Sequence, residues 1–318
     1  MRQLFYILAF VLLMAGCGPR TTQKQKAANA ETIEKNYAPG TRRMERSVEN
    51  PYAISSEEEY LRAVEEYWDD FDFGIGERVT EYDTVDLVYA MADYVMLIPA
   101  ERADSLLRDL MHRAEASRQV LDLFATVTEI VLHDPNSPYR NDEYYIPILE
   151  VLAESPLYDE YDRIAPTYDL EIARKNRLGN VATDFTYTLA NGRKGQLHDI
   201  EAEYTILMFS NPGCPMCRDI RNEMEASPLL NELHERGTLK IITLYPDEDI
   251  AAWREYLSEL PAGWINAYDD GMRITEERLY SLRAIPSLYL LDSEKRVLVK
   301  DGSSVPQIEN VIAISEAQ

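Results

Sequence analysis

The chain has 318 residues, 46% of them hydrophobic, three cysteines and a net charge of −24. That charge excludes a general nucleic-acid binder, which needs a basic face to displace phosphate counterions. Three cysteines exclude a disulfide-stapled scaffold, while the apolar content suffices for one large cored domain or two ordinary ones and argues against a disordered chain.

The first segment reads as an address. Arg2 precedes a 12-residue apolar run at 4–15, short of the roughly 20 residues that cross a bilayer. This layout is a secretory signal, and no transmembrane helix is expected in the mature protein. Met14-Ala15-Gly16-Cys17 resembles a bacterial lipobox, with Met in place of the usual first Leu. The resemblance implies a signal peptide over 1–16, cleavage before Cys17, and lipid on Cys17 that holds the protein to a bilayer at ~0.8 kcal/mol per buried methylene. Gly18, rather than Asp, implies by the same resemblance the outer membrane, and with no acidic cluster after Cys17 of the kind linked to surface export, a periplasm-facing orientation is expected. Residues 17–54 are polar, without hydrophobic periodicity, and carry a net charge of +3. They read as a flexible tether.

Residues 55–178 read as a helical domain. Ser55-Ser56-Glu57-Glu58-Glu59 offers a capping box, and Tyr60, Leu61, Val64, Tyr67 and Trp68 follow at helical spacing. Further helices are expected at 84–98, 101–117, 119–133, 142–154 and 167–177, with breaks at Pro99, Pro135, Pro138, Pro156 and Pro166. The segment holds 11 basic and 29 acidic residues. Such a run reads first as a solvated face, and second as a surface that selects basic clients or repels acidic ones. His112 and His133 lack partners at a metal-binding spacing and read as surface or capping residues.

From 179 the pattern changes. Strands are expected at 185–189, 196–200, 204–209, 239–245, 288–291 and 297–299, with a turn at Asn191-Gly192. Helices are expected at 215–226, at 249–260, at 275–282, at 305–316, and from Pro228 after a Ser227 cap. Strand–helix–strand followed by a hairpin and a helix implies an α/β domain over 179–318, with a mixed sheet and helices on both faces.

The chemistry rests on Cys214-Pro215-Met216-Cys217, which follows an expected buried strand and opens an expected helix. Unpaired N–H groups and the helix dipole favour an anion there, so a Cys214 thiolate forms near neutral pH and attacks disulfides. Cys217, one turn on, resolves the mixed disulfide. Pro215 fits the first turn because its missing N–H is not needed. Zinc would need about four ligands, and only His198 and His234 stand near in sequence, so no metal is expected. An inert disulfide is a further alternative, although so small a ring constrains little chain.

Residues 179–318 resemble the thioredoxin fold and, within it, the TlpA/ResA-like membrane-tethered thiol–disulfide oxidoreductases. The matching residues are the strand YTILMF at 204–209, Cys214-x-x-Cys217, Trp264 with Asp269, and Tyr280, Ile285-Pro286 and Leu290-Leu291-Asp292. The resemblance implies that Pro286 is cis beside the two cysteines and that Ile285 offers its backbone to an extended peptide. Gly213, Pro215, Ile285 and Pro286 would then line the client groove. It further implies disulfide-bearing client proteins, a membrane thiol reductase as electron donor, no metal or organic cofactor, and reduction rather than oxidation of clients. Residues 55–178 resemble the uncharacterised helical domain that precedes thioredoxin modules in some anaerobe lipoproteins.

Three departures stand out. Gly213 replaces the family's Trp before the first cysteine. Met208 stands where thioredoxin has a buried Asp, and Ile220 where ResA-like members have a Glu. A missing proton acceptor implies a sluggish resolving step, and Glu223 substitutes only if the helix turns it inward. A peroxiredoxin would want Thr or Ser at Asn211 and Pro at Leu207. The competing reading is a non-catalytic binding or structural lipoprotein with a thioredoxin-like scaffold.

Overall fold

The computed structural model describes residues 56–317. The signal peptide, Cys17 and the expected tether lie outside the described residues. Among those described, no helix is long and apolar enough to cross a membrane.

The N-terminal unit is helical. Helix α1 (Glu57–Glu65) starts where Ser56 accepts the Glu59 N–H, at the capping box. It is followed by α2 (Thr84–Leu97), α3 (Ala103–Ala114), α4 (Arg118–Leu132), α5 (Asp142–Glu154) and α6 (Ile164–Ala173). Pro166 marks no break. It sits in the first turn of α6, where the missing N–H has no partner to lose. The apolar stripes close on an aromatic cluster in which Trp68 meets the edges of Phe124 at 5.2 Å and Tyr94 at 5.9 Å. Glu65, Glu66, Asp69 and Asp70 are exposed between the buried Val64, Tyr67 and Trp68, which gives this part of the acidic run a solvated face.

The C-terminal unit has seven strands among the described residues: β1 (Thr186–Leu189), β2 (Lys194–Gln196), β3 (Tyr204–Phe209), β4 (Leu239–Tyr245), β5 (Ile265–Tyr268), β6 (Ser287–Leu291) and β7 (Val297–Gly302). They form one mixed sheet in the order β2-β1-β5-β4-β3-β6-β7. Strands β3, β4 and β5 run parallel and the others pair antiparallel. Central β3 is buried along its whole length, which is why its sequence is apolar everywhere but Thr205. Helices α7 (Pro215–Ala226), α8 (Pro228–Glu235) and α11 (Val305–Glu316) cover one face with Tyr204, Ile206 and Met208. Leu207 and Phe209 point to the other face, among Tyr280 and Tyr289.

Four elements of this unit depart most from expectation. The return strand β2 is Lys194–Gln196, not 196–200. Strand β5 was not expected, because its four residues, INAY, are too few for their alternation to stand out. It is held between β4 and β1, with Asn266 Oδ1 accepting the Thr243 hydroxyl at 2.8 Å. The helix expected at 275–282 is only a short α10 (Arg273–Glu276), because Tyr280 is drawn into the core and bonded to the Thr183 carbonyl. Helix α9 (Ile250–Tyr256) is shorter than the expected 249–260 and continues as a 3₁₀ turn over Leu257–Glu259.

The two units meet through buried charges. Arg283 Nη2 lies 3.0 Å from both Asp142 Oδ1 and Asp301 Oδ2, and Lys300 Nζ lies 2.8 Å from Asp142 Oδ2. His133, which caps the C-terminus of α4, is drawn into this interface with Arg283 Nη1 2.8 Å from its Nδ1. That nitrogen must accept, so the imidazole is neutral. Burial, then the Arg283 charge, push the His133 pKa down to about 4. The unfolded chain therefore binds a proton below about pH 6.5 that the folded chain refuses, and stability falls as pH drops from 6.5 toward 4. Urea titrations at pH 7 and pH 5 should show about 2 kcal/mol less pH dependence in His133→Gln than in the wild type. Equal losses in the two proteins would refute this assignment.

Candidate active site

Strand β3 delivers the chain to the sheet's C-terminal edge, and residues 210–213 turn it into α7. The turn requires Gly213, whose φ of 73° is strained for any residue with a Cβ.

Cys214 is the N-cap of α7. Its Sγ accepts the Cys217 N–H at 3.1 Å, and Pro215 occupies the first turn. The backbone donor thus points at the sulfur, as thiolate stabilisation requires. Cys214 and Cys217 are disulfide-bonded, with their Cα atoms 5.3 Å apart. Their exposures differ: Cys214 is half-buried and Cys217 is fully buried. Only Cys214 is open to a bulky partner. Gly213, Pro215 and Met216 are exposed around it, Met216 at 62%.

The Ile285–Pro286 loop faces this pair. The peptide bond between them is cis, Pro286 is buried and Ile285 half-buried. The Ile285 carbonyl oxygen lies 3.8 Å from Cys214 Sγ. The structure therefore brings Cys214, Cys217, Ile285, Pro286, Gly213 and Pro215 to one place.

Behind the pair the surroundings are apolar. Cys217 packs in the cluster that contains Met208, Ile220, Met224 and Leu288. Met208 faces this side of the sheet, and Glu223 is exposed, so it supplies no inward carboxylate. The one buried ion on this helix is Arg221, which donates to the Tyr256 hydroxyl at 3.2 Å. Asp269 is buried elsewhere, accepting the Ile274 N–H at 2.6 Å, and burial raises its pKa.

His198 and His234 each set a ring nitrogen against a backbone carbonyl, at 2.8 Å to Ala182 and 3.2 Å to Leu239. No group of three or more His, Cys, Asp or Glu among the described residues is arranged to hold a metal. Sequence reasoning missed Arg283, Ser287 and Asp301, which flank or support the proline loop. Nothing in the linear pattern pairs Asp301 with a loop some fifteen residues away.

Residues 17–176 match the family described as Domain of unknown function (DUF5106). The structure of a thioredoxin-like protein from Bacteroides caccae is 35% identical, covering 82% of this chain and 94% of that one, with a TM-score of 0.77. The thiol–disulfide oxidoreductase ResA of Bacillus anthracis is 30% identical over 138 residues, 42% of this chain and 70% of that protein. Human nucleoredoxin is 27% identical over 113 residues, 35% of this chain but only 26% of that protein's length. The match to nucleoredoxin thus spans about a quarter of that protein. The chain belongs to the DUF5106 family, and joins that domain to a thioredoxin-like domain homologous to the ResA thiol–disulfide oxidoreductases and to Bacteroides thioredoxin-like proteins.

Proposed function

We propose that the protein is a thiol–disulfide oxidoreductase, anchored by lipid on Cys17 to a periplasm-facing membrane surface, that reduces disulfides of secreted client proteins. The observation that carries this reading is the pair itself: a half-exposed Cys214 capping a helix, a buried Cys217 one turn on, and the Ile285–Pro286 loop against the outer sulfur.

In the reduced protein the Cys214 thiolate attacks one sulfur of a client disulfide. The Cys214–client bond forms, the client S–S bond breaks, and the departing client thiolate takes a proton. Cys217 then loses its proton and attacks Cys214 Sγ, which releases the second client thiol and closes the Cys214–Cys217 disulfide. The client gains two electrons and two protons, and a membrane dithiol donor resupplies them. Binding of the client segment is read as strand-like pairing with the Ile285 backbone beside Pro286.

Titration of the Cys214–Cys217 pair in glutathione and dithiothreitol buffers tests this. A reductase is expected near thioredoxin's value of about −270 mV, whereas a value near −120 mV would make the protein an oxidant. A pair that never cycles would transfer the reading to a binding lipoprotein. The anchor is tested by cell fractionation, since Cys17→Ser should move the protein from the membrane to the soluble fraction, and unchanged membrane association would count against lipidation.

A further inference from the structure

The loop that carries Ile285 and Pro286 is tied at both ends to one buried carboxylate. Ser287, just after the proline, donates its hydroxyl to Asp301 Oδ1 at 2.7 Å. Arg283, two residues before Ile285, places Nη2 3.0 Å from Asp301 Oδ2. The same Nη2 lies 3.0 Å from Oδ1 of Asp142, the first residue of α5 in the helical unit. Asp142 Oδ2 is held by Lys300, the neighbour of Asp301 on β7. Arg140, also from the helical unit, reaches Asp301 with Nε at 3.3 Å from Oδ2.

The five charged side chains are withdrawn from water, with exposures of 4–14%. Buried charges hold one arrangement only while each keeps its partner, and removing one partner strands the rest. Asp142 Oδ1 accepts no hydrogen bond of good geometry, so its ion pair with Arg283 has no substitute on that oxygen. Of the cations that the thioredoxin-like unit sends into this interface, Arg283 is the one attached to the proline loop. His133 adds a ring nitrogen at 2.8 Å from its Nη1, so two groups of the helical unit face this single guanidinium.

We propose that Asp142 is a positioning residue for the redox site: acting through Arg283, it holds the Ile285–Pro286 loop against Cys214. The helical unit is then a working part of client binding and not a separate module. This rests on the proposed redox reading for its kinetic consequence, but not for its structural one.

The test uses the full chain and Asp142→Asn, with two readouts. The amide ¹⁵N order parameters of Ala284 and Ile285 should fall from the roughly 0.85 of rigid backbone toward about 0.6. With insulin as the disulfide substrate, KM should rise fivefold or more while kcat changes less than twofold, because the cysteines themselves are untouched. Alkylation of reduced Cys214 by iodoacetamide should change less than twofold. A merely structural role would lower the melting temperature and leave KM and these two amides unmoved, and that result would overturn the proposal.

If Asp142→Asn does not fold, Arg283→Lys takes its place. Lysine keeps the charge, but its single ammonium ends about one bond short of the guanidinium nitrogens and cannot hold His133 and the two carboxylates together, so the same loosening is expected and its absence is equally decisive. A wild type that never reduces insulin, with a loop that still loosens in the variant, sinks the redox reading and leaves the positioning role standing. A wild type that turns over, with a loop indifferent to Asp142, sinks the positioning role alone.

Discussion

Cys217→Ser is expected to accumulate mixed disulfides in cells, whereas Cys214→Ser loses disulfide exchange by a factor on the order of 10³ or more. The asymmetry follows from burial. Cys214 is half-exposed at the helix N-terminus and accepts the Cys217 N–H, while Cys217 has no exposed surface. Without the resolving thiol, the Cys214–client bond has no intramolecular attacker and persists. Mass spectrometry of adducts captured through Cys214 would read the outcome and identify clients. Adducts formed equally through Cys217 in Cys214→Ser would reverse the assigned roles. No adduct from either variant would favour a binding lipoprotein.

The second large effect is a strongly pH-dependent resolving step. Cys217 must lose a proton within a cluster of Met208, Ile220, Met224 and Leu288, and apolar burial disfavours the thiolate. With no carboxylate turned inward to take the proton, resolution should quicken roughly tenfold per pH unit across neutrality, in step with the thiolate fraction. Met208→Asp places a carboxylate on the sheet face that Cys217 packs against. It should speed resolution at pH 7 by roughly tenfold and flatten the profile, in the manner of general base catalysis. It should also lower stability by about 1–3 kcal/mol, the cost of a buried polar group without a full set of partners. Stopped-flow measurement of client release from a preformed Cys214 mixed disulfide checks both. A flat wild-type profile would show that another group, or solvent, already takes the proton.

These expectations draw unequally on sequence and tertiary structure. Helices α5, α7 and α11 were legible to the residue, because a cap, a proline in the first turn or a clean apolar period marked each one. Strand β3 was legible because burial on both faces leaves a run that is apolar but for Thr205. Strand β5 was not, since INAY earns its place through pairing with β4 and β1 and not through its own pattern. The helix expected at 275–282 failed because Tyr280 satisfies the core better than it continues a helical period. Pro166 misled as a breaker because only the position within a turn decides what a proline costs.

The sequence by itself determined where the cysteine pair lies. The spacing of Cys214 and Cys217 after a buried strand is local information, and so is the helix N-terminus that Cys214 caps. Proximity of Ile285 and Pro286 entered through resemblance, because nothing in the chain's own periodicity joins residue 214 to residue 285. Tertiary structure alone decided which sulfur is open, that Glu223 turns outward, and that Asp142, Arg283 and Asp301 converge behind the proline loop. The reason is physical. Caps, turns and apolar periods act within a few residues, while burial and ion pairing depend on which distant segments the fold brings within 3 Å.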